Sequence, residues 1–249
     1  MPGHILPLLP PHHLYCEHFF GGGAVFFAKR PSRIEVINDK DGFVVNFYRQ
    51  AQSNFAALQR MLSEAVHSRL AYKHAQHIRS APAYFSAAEQ AWAFWILCNM
   101  SFNATYAGTF AYAKQGNGSA QRLANLRAKF TDHIARRLLR TTIEQQDALE
   151  LMPRYDTENS FFYVDPPYID SCQGHYKGYQ HEDYQQLLDT LARLKGKFML
   201  SSYPNALLEK AVAAHGWSVQ VFDKPLSASL KAGRRKKEVL ACNYRPEAS

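Results

Sequence analysis

A short apolar run at residues 161–164 ends at once in Asp165-Pro166-Pro167-Tyr168. Aromatic and β-branched residues favour a buried strand, whereas two consecutive prolines cannot donate to a ladder and stop the strand. The acid and the tyrosine are therefore presented at the carboxyl end of a strand, which is where open α/β sheets hold their ligands. This segment predicts an α/β fold with a functional site at that edge of the sheet.

A glycine turn near the start of the chain predicts a second part of the same site. Residues 14–19 have strand character, Gly21-Gly22-Gly23 follows, and residues 24–28 fit a helix opening. Glycine has no Cβ and accepts positive φ, so such a turn lets a ligand approach the backbone. The next strand, residues 34–37, leads to Asp39, which is placed to accept hydrogen bonds from a ribose. This order of elements is the opening of a Rossmann-like unit.

Composition limits the class of protein. The 249 residues are 47% hydrophobic and 20% charged, which is typical of a globular chain. The net charge of +8 favours a polyanionic partner, because cations that neutralise phosphates release counterions. The four cysteines and eleven histidines show no metal-ligand spacing, so we predict neither a disulfide scaffold nor a metal. With no signal peptide and no apolar run of membrane length, a cytoplasmic protein is expected.

The alternation of strands and helices is interrupted by a mostly helical block. Its pattern predicts helices over residues 42–67, 89–100 and 122–139, and a hairpin over 105–119, where an Asn-Gly pair favours a turn. Further strands are predicted at 198–201, 218–222 and 238–244, with an amphipathic helix over 184–194. We therefore predict a catalytic domain of residues 1–49 and 141–249, with an inserted subdomain of residues 50–140.

Taken together, these motifs resemble the Dam-type (DPPY, α-order) DNA adenine-N6 methyltransferases, whose glycine motif precedes the catalytic motif with the recognition domain between them. The resemblance covers residues 15–244. Its motifs are residues 19–26, residues 37–39, Asp147, the Asp165–Tyr168 segment and residues 200–205. It implies a Rossmann-like, S-adenosylmethionine-dependent fold with an inserted, mostly helical target-recognition subdomain, acting on specific sites in double-stranded DNA as a monomer or weak dimer in a prokaryotic cell.

The resemblance implies S-adenosylmethionine as the methyl donor, and with it a set of donor-binding residues: Glu17, Phe19, Gly21, Gly23, Asp39 and Asp147. Glu17 and the glycine turn would lie against the methionine portion, and Asp39 would hold the ribose. Asp147 would lie near the adenine of the donor. A plainer alternative for Asp147 is that it is an acid at a helix terminus.

The catalytic residues implied by the resemblance are Asp165, Pro166, Pro167 and Tyr168. The exocyclic nitrogen of adenine is a poor nucleophile because its lone pair is delocalised into the ring. Asp165 and the Pro166 carbonyl can each accept one amino hydrogen, which stabilises the positive charge that develops on that nitrogen. Tyr168 can stack on a base that has left the helix. The alternative is a plain strand-ending turn with a surface acid.

Basic residues in two regions are the predicted DNA contacts: Lys114, Arg122, Lys231, Arg234, Arg235, Lys236 and Lys237. Contacts of this kind to phosphates position a protein without specifying sequence. For each residue the alternative is a solvated charge on a helix face or at a hairpin tip.

Two departures from the family pattern leave other functions open. His18 stands where the family has proline, and the chain lacks an N-terminal Tyr-x-Gly-Gly-Lys segment whose lysine meets the donor's carboxylate. Loss of such a contact costs about 1.5–3 kcal/mol. One alternative is therefore a truncated, weak or inactive DNA-binding relative. Another is an enzyme that acts on RNA or on glutamine, although the glutamine enzymes prefer Asn at the position of Asp165.

Overall fold

The computed structural model describes residues 2–102, 108–112, 118–169, 178–225 and 235–246, and gives only the backbone of residues 223–225 and 235–236. The chain divides into two compact units. The first, which we call the sheet unit, consists of Met1–Lys40 and Glu144–Ser249. The second, the helical unit, is Asp41–Ile143.

The strands form one seven-stranded sheet in the order β3-β2-β1-β4-β5-β7-β6. β1 pairs in parallel with β2 and β4, and β4 with β5, whereas β7 is antiparallel to both β5 and β6. The strands are β1 (Leu14–Glu17), β2 (Ile34–Asn38), β3 (Thr141–Glu144), β4 (Ser160–Val164), β5 (Lys197–Ser202), β6 (Ser218–Pro225) and β7 (Arg235–Cys242). The strand order reverses between β1 and β4, so a doubly wound sheet has its ligand crevice there. The predicted Rossmann-like α/β fold is confirmed.

Helices alternate with the strands along the chain and make up most of the helical unit. They are α1 (Pro2–Ile5), α2 (Ala24–Ala28), α3 (Gly42–Ser53), α4 (Phe55–Ser63), α5 (Arg69–Ser80), α6 (Ala87–Asn99), α7 (Gly118–Lys129), α8 (Asp132–Leu138), α9 (Ala148–Leu151), α10 (His181–Ala192) and α11 (Ala206–His215). No described helix is long and apolar enough to cross a membrane.

The sheet unit has a core built on β4. Every residue of that strand is buried, as expected of a central parallel strand with cover on both faces. The predicted amphipathic stripe is confirmed, because Tyr184, Leu187 and Leu191 of α10 are buried in the same cluster as Phe162. This packing fixes the end of β4, from which the Asp165 segment leaves the sheet.

The helical unit has an aromatic core of its own. The ring of Phe47 lies 5.3 Å from that of Phe94 and 5.9 Å from that of Phe130. The strongly apolar helix predicted over residues 89–100 is α6, which begins at a reciprocal capping box between Ser86 and Glu89.

Several elements differ from the sequence-based expectation. The helix predicted over 42–67 is two helices that meet at Asn54, whose φ of −137° is not helical, and the helix predicted over 122–139 is α7 followed by α8. The apolar spacing continues across both breaks, so periodicity did not reveal them. Helix α5 and strand β3 were not predicted; α5 has a low mean hydropathy and buries only Tyr72, Ala75 and Ile78. The predicted hairpin over 105–119 lies largely outside the described residues, although Phe110 forms an antiparallel bridge with Ser101.

Candidate active site

Two carboxylates meet at the reversal point of the sheet. Glu17 ends β1 in register with Tyr163 of β4, and Asp165 is the first residue after β4. Glu17 is 3% exposed, and Tyr15 donates a hydrogen bond of 2.6 Å to its Oε2. Burial raises the pKa of Glu17 to about 8, against the opposing effect of the Tyr15 hydrogen bond and with a further increase from Asp165. Glu17 therefore holds a proton at neutral pH.

The glycine turn connects β1 to the acid after β2. The Gly21 N–H donates to Oδ2 of Asp39 over 2.9 Å, and Asp39 is buried. Gly21 and Gly23 have φ of +47° and +61°, a region in which residues with a Cβ are strained. A Cβ on Gly21 or Gly22 would meet no atom within 4 Å, so the outer side of the turn faces open space. The turn can thus hold a ligand close to its backbone.

Asn38 and Asp147 hold the segments next to the glycine turn in place through hydrogen bonds. The Asn38 side chain donates to the carbonyl oxygens of His18 and Gln146, and accepts from the Gln146 N–H. Asp147 accepts from the Leu149 N–H as the cap of α9, and its other oxygen lies 3.1 Å from Nζ of Lys40. The helix-terminal role considered for Asp147 is therefore present in the structure.

The hydroxyl of Tyr168 is the centre of a polar network beneath the Asp165 segment. Its oxygen lies 2.8 Å from Oδ1 of Asp165, 2.7 Å from Oγ of Ser201 and 2.9 Å from Oε1 of Glu238. Ser201 in turn donates to Glu238. Because one hydroxyl carries one hydrogen, a consistent arrangement has Tyr168 donating to Asp165 and Ser201 donating to Glu238. Burial, and then the charge of Asp165, raise the pKa of Tyr168 well above its usual value, so the hydroxyl stays protonated.

Sequence reasoning did not assign Ser201 or Glu238 to the site. Glu238 is 3% exposed on β7, and it is an acid that opens an apolar stretch directly after a basic run. An acid within a predicted apolar strand is the sequence signal that could have identified Glu238, since acids are almost never fully buried without partners.

An aromatic pair forms one wall of the site. The rings of Tyr168 and Tyr203 are 4.4 Å apart at 73°, an edge-to-face arrangement. Asn205 fixes the segment after β5, because its Nδ2 donates to the Tyr203 carbonyl and its Oδ1 accepts from the Leu208 N–H at the start of α11.

His18 is buried between the two motifs. It is 1% exposed, its ring stacks on Phe162 at 5.6 Å, and neither ring nitrogen has a hydrogen-bond partner among the described residues. Burial lowers the pKa of His18 to about 3, so the ring is neutral. A neutral ring fills the place where a proline was expected without adding charge to the site.

The remaining predicted residues are not gathered at this site. Phe19 packs against the hydrophobic core of the sheet unit. Arg122 is exposed on α7, and Lys237 is exposed on β7. Lys114, Lys231 and Arg234 lie outside the described residues, as do the side chains of Arg235 and Lys236. The described residues contain no cluster of three or more His, Cys, Asp or Glu that could hold a metal ion.

The chain is similar to known DNA methyltransferases. The family model for D12 class N6 adenine-specific DNA methyltransferases matches residues 3–221. The type II methyltransferase M1.LlaDCHI of Lactococcus lactis subsp. cremoris is 27% identical over 263 residues, which cover 97% of this chain and 90% of that protein.

Two solved structures match this chain over most of its length, but with low TM-scores. A precorrin-6y C5,15-methyltransferase from Geobacter metallireducens matches 95% of this chain and 81% of its own, at 10% identity and a TM-score of 0.37. An rRNA methylase from Streptococcus thermophilus matches 97% and 96%, at 12% identity and a TM-score of 0.38. Likenesses at these scores carry no weight for function, and the assignment depends on the family model.

Proposed function

The chain belongs to the D12 class of N6 adenine-specific DNA methyltransferases, and on that premise we propose that Asp165, Pro166, Pro167 and Tyr168 form the pocket for a flipped target adenine. The reaction transfers a methyl group from S-adenosylmethionine to the exocyclic amine of adenine in DNA. A base inside a duplex cannot reach Asp165 at the end of a buried strand, so the base must leave the helix. The observation that carries this proposal is the hydrogen bond of 2.8 Å that the Tyr168 hydroxyl donates to Asp165, because it fixes the orientation of the carboxylate.

Donor binding is proposed for the glycine turn and the acids beside it. S-adenosylmethionine supplies a methyl group bound to a positively charged sulfur. The residues present fit such a ligand: the turn at Gly21 and Gly22 is open on its outer side, and Glu17 and Asp39 are buried acids on either side of it. We assign Glu17, Phe19, Gly21 and Gly23 to the methionine portion, Asp39 to the ribose and Asp147 to the adenine of the donor.

Catalysis in this proposal depends on acceptors whose positions are fixed in advance. Asp165 accepts one amino hydrogen and the Pro166 carbonyl the other, which localises the nitrogen lone pair. As the nitrogen–methyl bond forms, the sulfur–methyl bond of the donor would break and leave a neutral thioether. The Asp165 carboxylate stabilises the positive charge on nitrogen and then accepts the proton that the nitrogen loses. Tyr168 contributes its ring face, and its edge contact with Tyr203 sets the angle of that ring.

Target recognition is proposed for the inserted block of residues 50–140, as part of a division into a catalytic domain of residues 1–49 and 141–249. The proposed phosphate contacts are Lys114, Arg122, Lys231, Arg234, Arg235, Lys236 and Lys237, supported by the chain's positive net charge. Arg127 of the same block is not among them; its guanidinium donates to the carbonyls of Ser63 and Ala65 and so joins two segments of the block. We propose a cytoplasmic enzyme that acts as a monomer or weak dimer.

The test compares Asp165→Asn with Asp189→Asn, which removes a charge from the exposed face of α10. Each protein is titrated with S-adenosylmethionine by calorimetry and assayed for methyl transfer to long DNA from a methylase-deficient bacterium. We expect Asp165→Asn to lower the rate by about 10²–10³-fold, the usual effect of removing a group that stabilises a transition state. Donor affinity should change little, and Asp189→Asn should match the unaltered protein.

Equal rates for the two variants would refute the catalytic assignment. Failure of the unaltered protein to bind millimolar donor would instead favour the alternative of an inactive DNA-binding relative.

A further inference from the structure

The sheet unit has a cavity of about 1090 Å³ at the amino ends of its parallel strands. His13 precedes β1, Arg33 precedes β2 and Lys197 opens β5, while Arg245 follows β7, which runs antiparallel to β5. The proposed catalytic groups lie at the carboxyl ends of the same strands. A five-residue strand is about 17 Å long, so the cavity and the active site lie at opposite edges of the sheet.

The buried lysine of the cavity lining, Lys29, is paired with an acid that lies behind the lining. Nζ of Lys29 lies 2.6 Å from Oε1 of Glu35, and both side chains are 4% exposed. Lys29 also donates to Oγ of Ser32, which lies 2.9 Å from a ring nitrogen of His12. The positive charge of Lys29 is therefore balanced by Glu35, and these residues form a neutral, hydrogen-bonded layer.

The rim carries unbalanced positive charge. Arg30, Arg33, Lys197 and Arg245 are all exposed, and no described residue lining the cavity is acidic. Within the described residues these four side chains form no ion pair with an acid. We call these four residues and the cavity between them the basic cleft. Cations of one sign around a concave surface concentrate the positive potential there and attract anions.

Tyr244 stiffens one side of the basic cleft. Its hydroxyl donates to the Leu8 carbonyl over 2.9 Å, and its ring packs edge to face on Phe161 of β4. Nζ of Lys197 lies over that ring at 5.8 Å. The wall beneath the rim cations is thus anchored to the core of the sheet.

We propose that the basic cleft binds the phosphodiester backbone of a second DNA segment, distinct from the segment that presents the target adenine. The cavity is larger than a single phosphate requires, and four dispersed cations suit a row of phosphates better than one ion. DNA is already the substrate of this family, so a second segment of it is available whenever the first is bound. The enzyme can then contact two segments of one long DNA through opposite edges of the sheet.

The test is a capture assay with the full chain. A random-sequence duplex is fixed to beads and saturated with protein, and a second, fluorescent duplex is added. The cleft variant carries Arg30→Gln, Arg33→Gln and Arg245→Gln. The control variant loses the same net charge at exposed positions elsewhere in the sheet unit, through Arg154→Gln, Arg193→Gln and Lys210→Gln.

We expect the unaltered protein and the control variant to capture the second duplex, and the cleft variant to capture it about ten-fold more weakly or worse at 0.2 M salt. The salt dependence of this step should be weaker in the cleft variant. The negative slope of log affinity against log salt should decrease in magnitude by about 2.7, since each of three lost phosphate contacts contributes about 0.9. Retention on the first duplex should be equal for all three proteins. Circular dichroism and melting confirm that both variants are folded.

Equal capture by the cleft and control variants would overturn the proposal, as would no capture by the unaltered protein. Displacement of the second duplex by single-stranded RNA at much lower concentration than by DNA would overturn it in favour of an RNA site. Displacement by millimolar inorganic phosphate at constant ionic strength would indicate a small-anion site instead. The assay involves no methyl transfer, so its outcome is independent of whether Asp165 is catalytic.

Discussion

Tyr168 joins two roles in one side chain, since its ring is proposed to hold the base while its hydroxyl aims Asp165. Tyr168→Phe keeps the ring and its edge contact with Tyr203 but removes the hydroxyl that donates to Asp165 and lies beside Ser201 and Glu238. We expect it to lower the methyl-transfer rate by about ten- to a hundred-fold, with DNA affinity unchanged, because the carboxylate is less well aimed. Tyr168→Ala should weaken DNA binding as well. Single-turnover rates and DNA titrations check both; an unchanged rate for Tyr168→Phe would contradict an aiming role.

Glu17 is expected to make donor binding sensitive to pH. Burial raises its pKa to about 8, so the carboxyl holds a proton at pH 7. The proposed contact with the donor's positively charged amino group favours the carboxylate, so binding should release that proton and strengthen as pH rises towards 8. Calorimetry at pH 7 in two buffers of different ionisation enthalpy should show the release, and Glu17→Gln should abolish it. Identical proton release in the two proteins would rule out Glu17 as its source.

His18 contributes to acid sensitivity. Its folded-state pKa is about 3, below the value near 6.5 in an unfolded chain. Between these two values the unfolded chain binds a proton at His18 and the folded protein does not. Because this proton uptake favours the unfolded chain, stability is lost as pH falls from about 6.5 towards 3. At pH 5 this group alone should cost about 2 kcal/mol of unfolding free energy.

The matched variant for this prediction is His18→Phe, which keeps a ring against Phe162. Urea unfolding of both proteins at pH 7.5 and pH 5 should show a smaller loss in the variant. Parallel losses would show that His18 is not the responsible group.

At the scale of elements, the turn between β1 and α2 separates the requirements of folding from those of binding. Gly23 has a φ of +61°, and a Cβ there would lie 2.5 Å from Cζ of Phe20. Gly23→Ala should therefore destabilise the protein by about 1–3 kcal/mol through backbone strain and displacement of that ring. A Cβ on Gly22 would meet nothing, so Gly22→Ala should leave stability within about 0.5 kcal/mol.

Donor affinity should respond in a different way. Gly22→Ala places a methyl group on the open side of the turn, where the donor is proposed to lie, and should weaken S-adenosylmethionine binding despite normal stability. Melting curves and donor titrations on both variants check the two effects separately. If Gly22→Ala bound the donor normally, the donor would not lie against this turn.

Element boundaries show where local pattern was sufficient. The strand at β4, the glycine turn and the stripe on α10 were predicted because their apolar spacing or their special residues are local properties. The breaks at Asn54 and between α7 and α8 were missed, because the apolar rows on either side remain continuous in sequence. The ring of Phe130, between α7 and α8, lies 5.9 Å from Phe47 of α3 and stacks on Phe55 of α4 at 5.1 Å, so residues on both sides of Asn54 share one core.

At the scale of the whole molecule, the two compact units lead to a prediction about ligand protection. Ligand binding to the folded state stabilises it by about 2.7 kcal/mol at a hundred times the dissociation constant. We expect S-adenosylmethionine to slow hydrogen exchange in the sheet unit, at β1, the glycine turn and β2. Exchange in the helical unit should be slowed chiefly by DNA. Equal protection of both units by the donor alone would contradict the proposed division of roles.

The sequence by itself determined six of the seven strands, the glycine turn, the acid and aromatic residues of the Asp165 segment, and the family to which they belong, because all of these are written in short stretches of chain. Only the tertiary structure decided which strands are neighbours. Pairing β1 with β4 brings Glu17 beside Asp165, and pairing β7 with β5 brings Glu238 to Tyr168 across 70 positions of sequence.

The basic cleft has the same origin. Its cations come from the regions before β2, at β5 and after β7. They converge because parallel strands place their amino ends at one edge of the sheet, and the antiparallel β7 ends at that same edge. Periodicity records which face of an element is buried, but not which element covers it. Sites assembled from several strand ends are therefore decided by long-range packing.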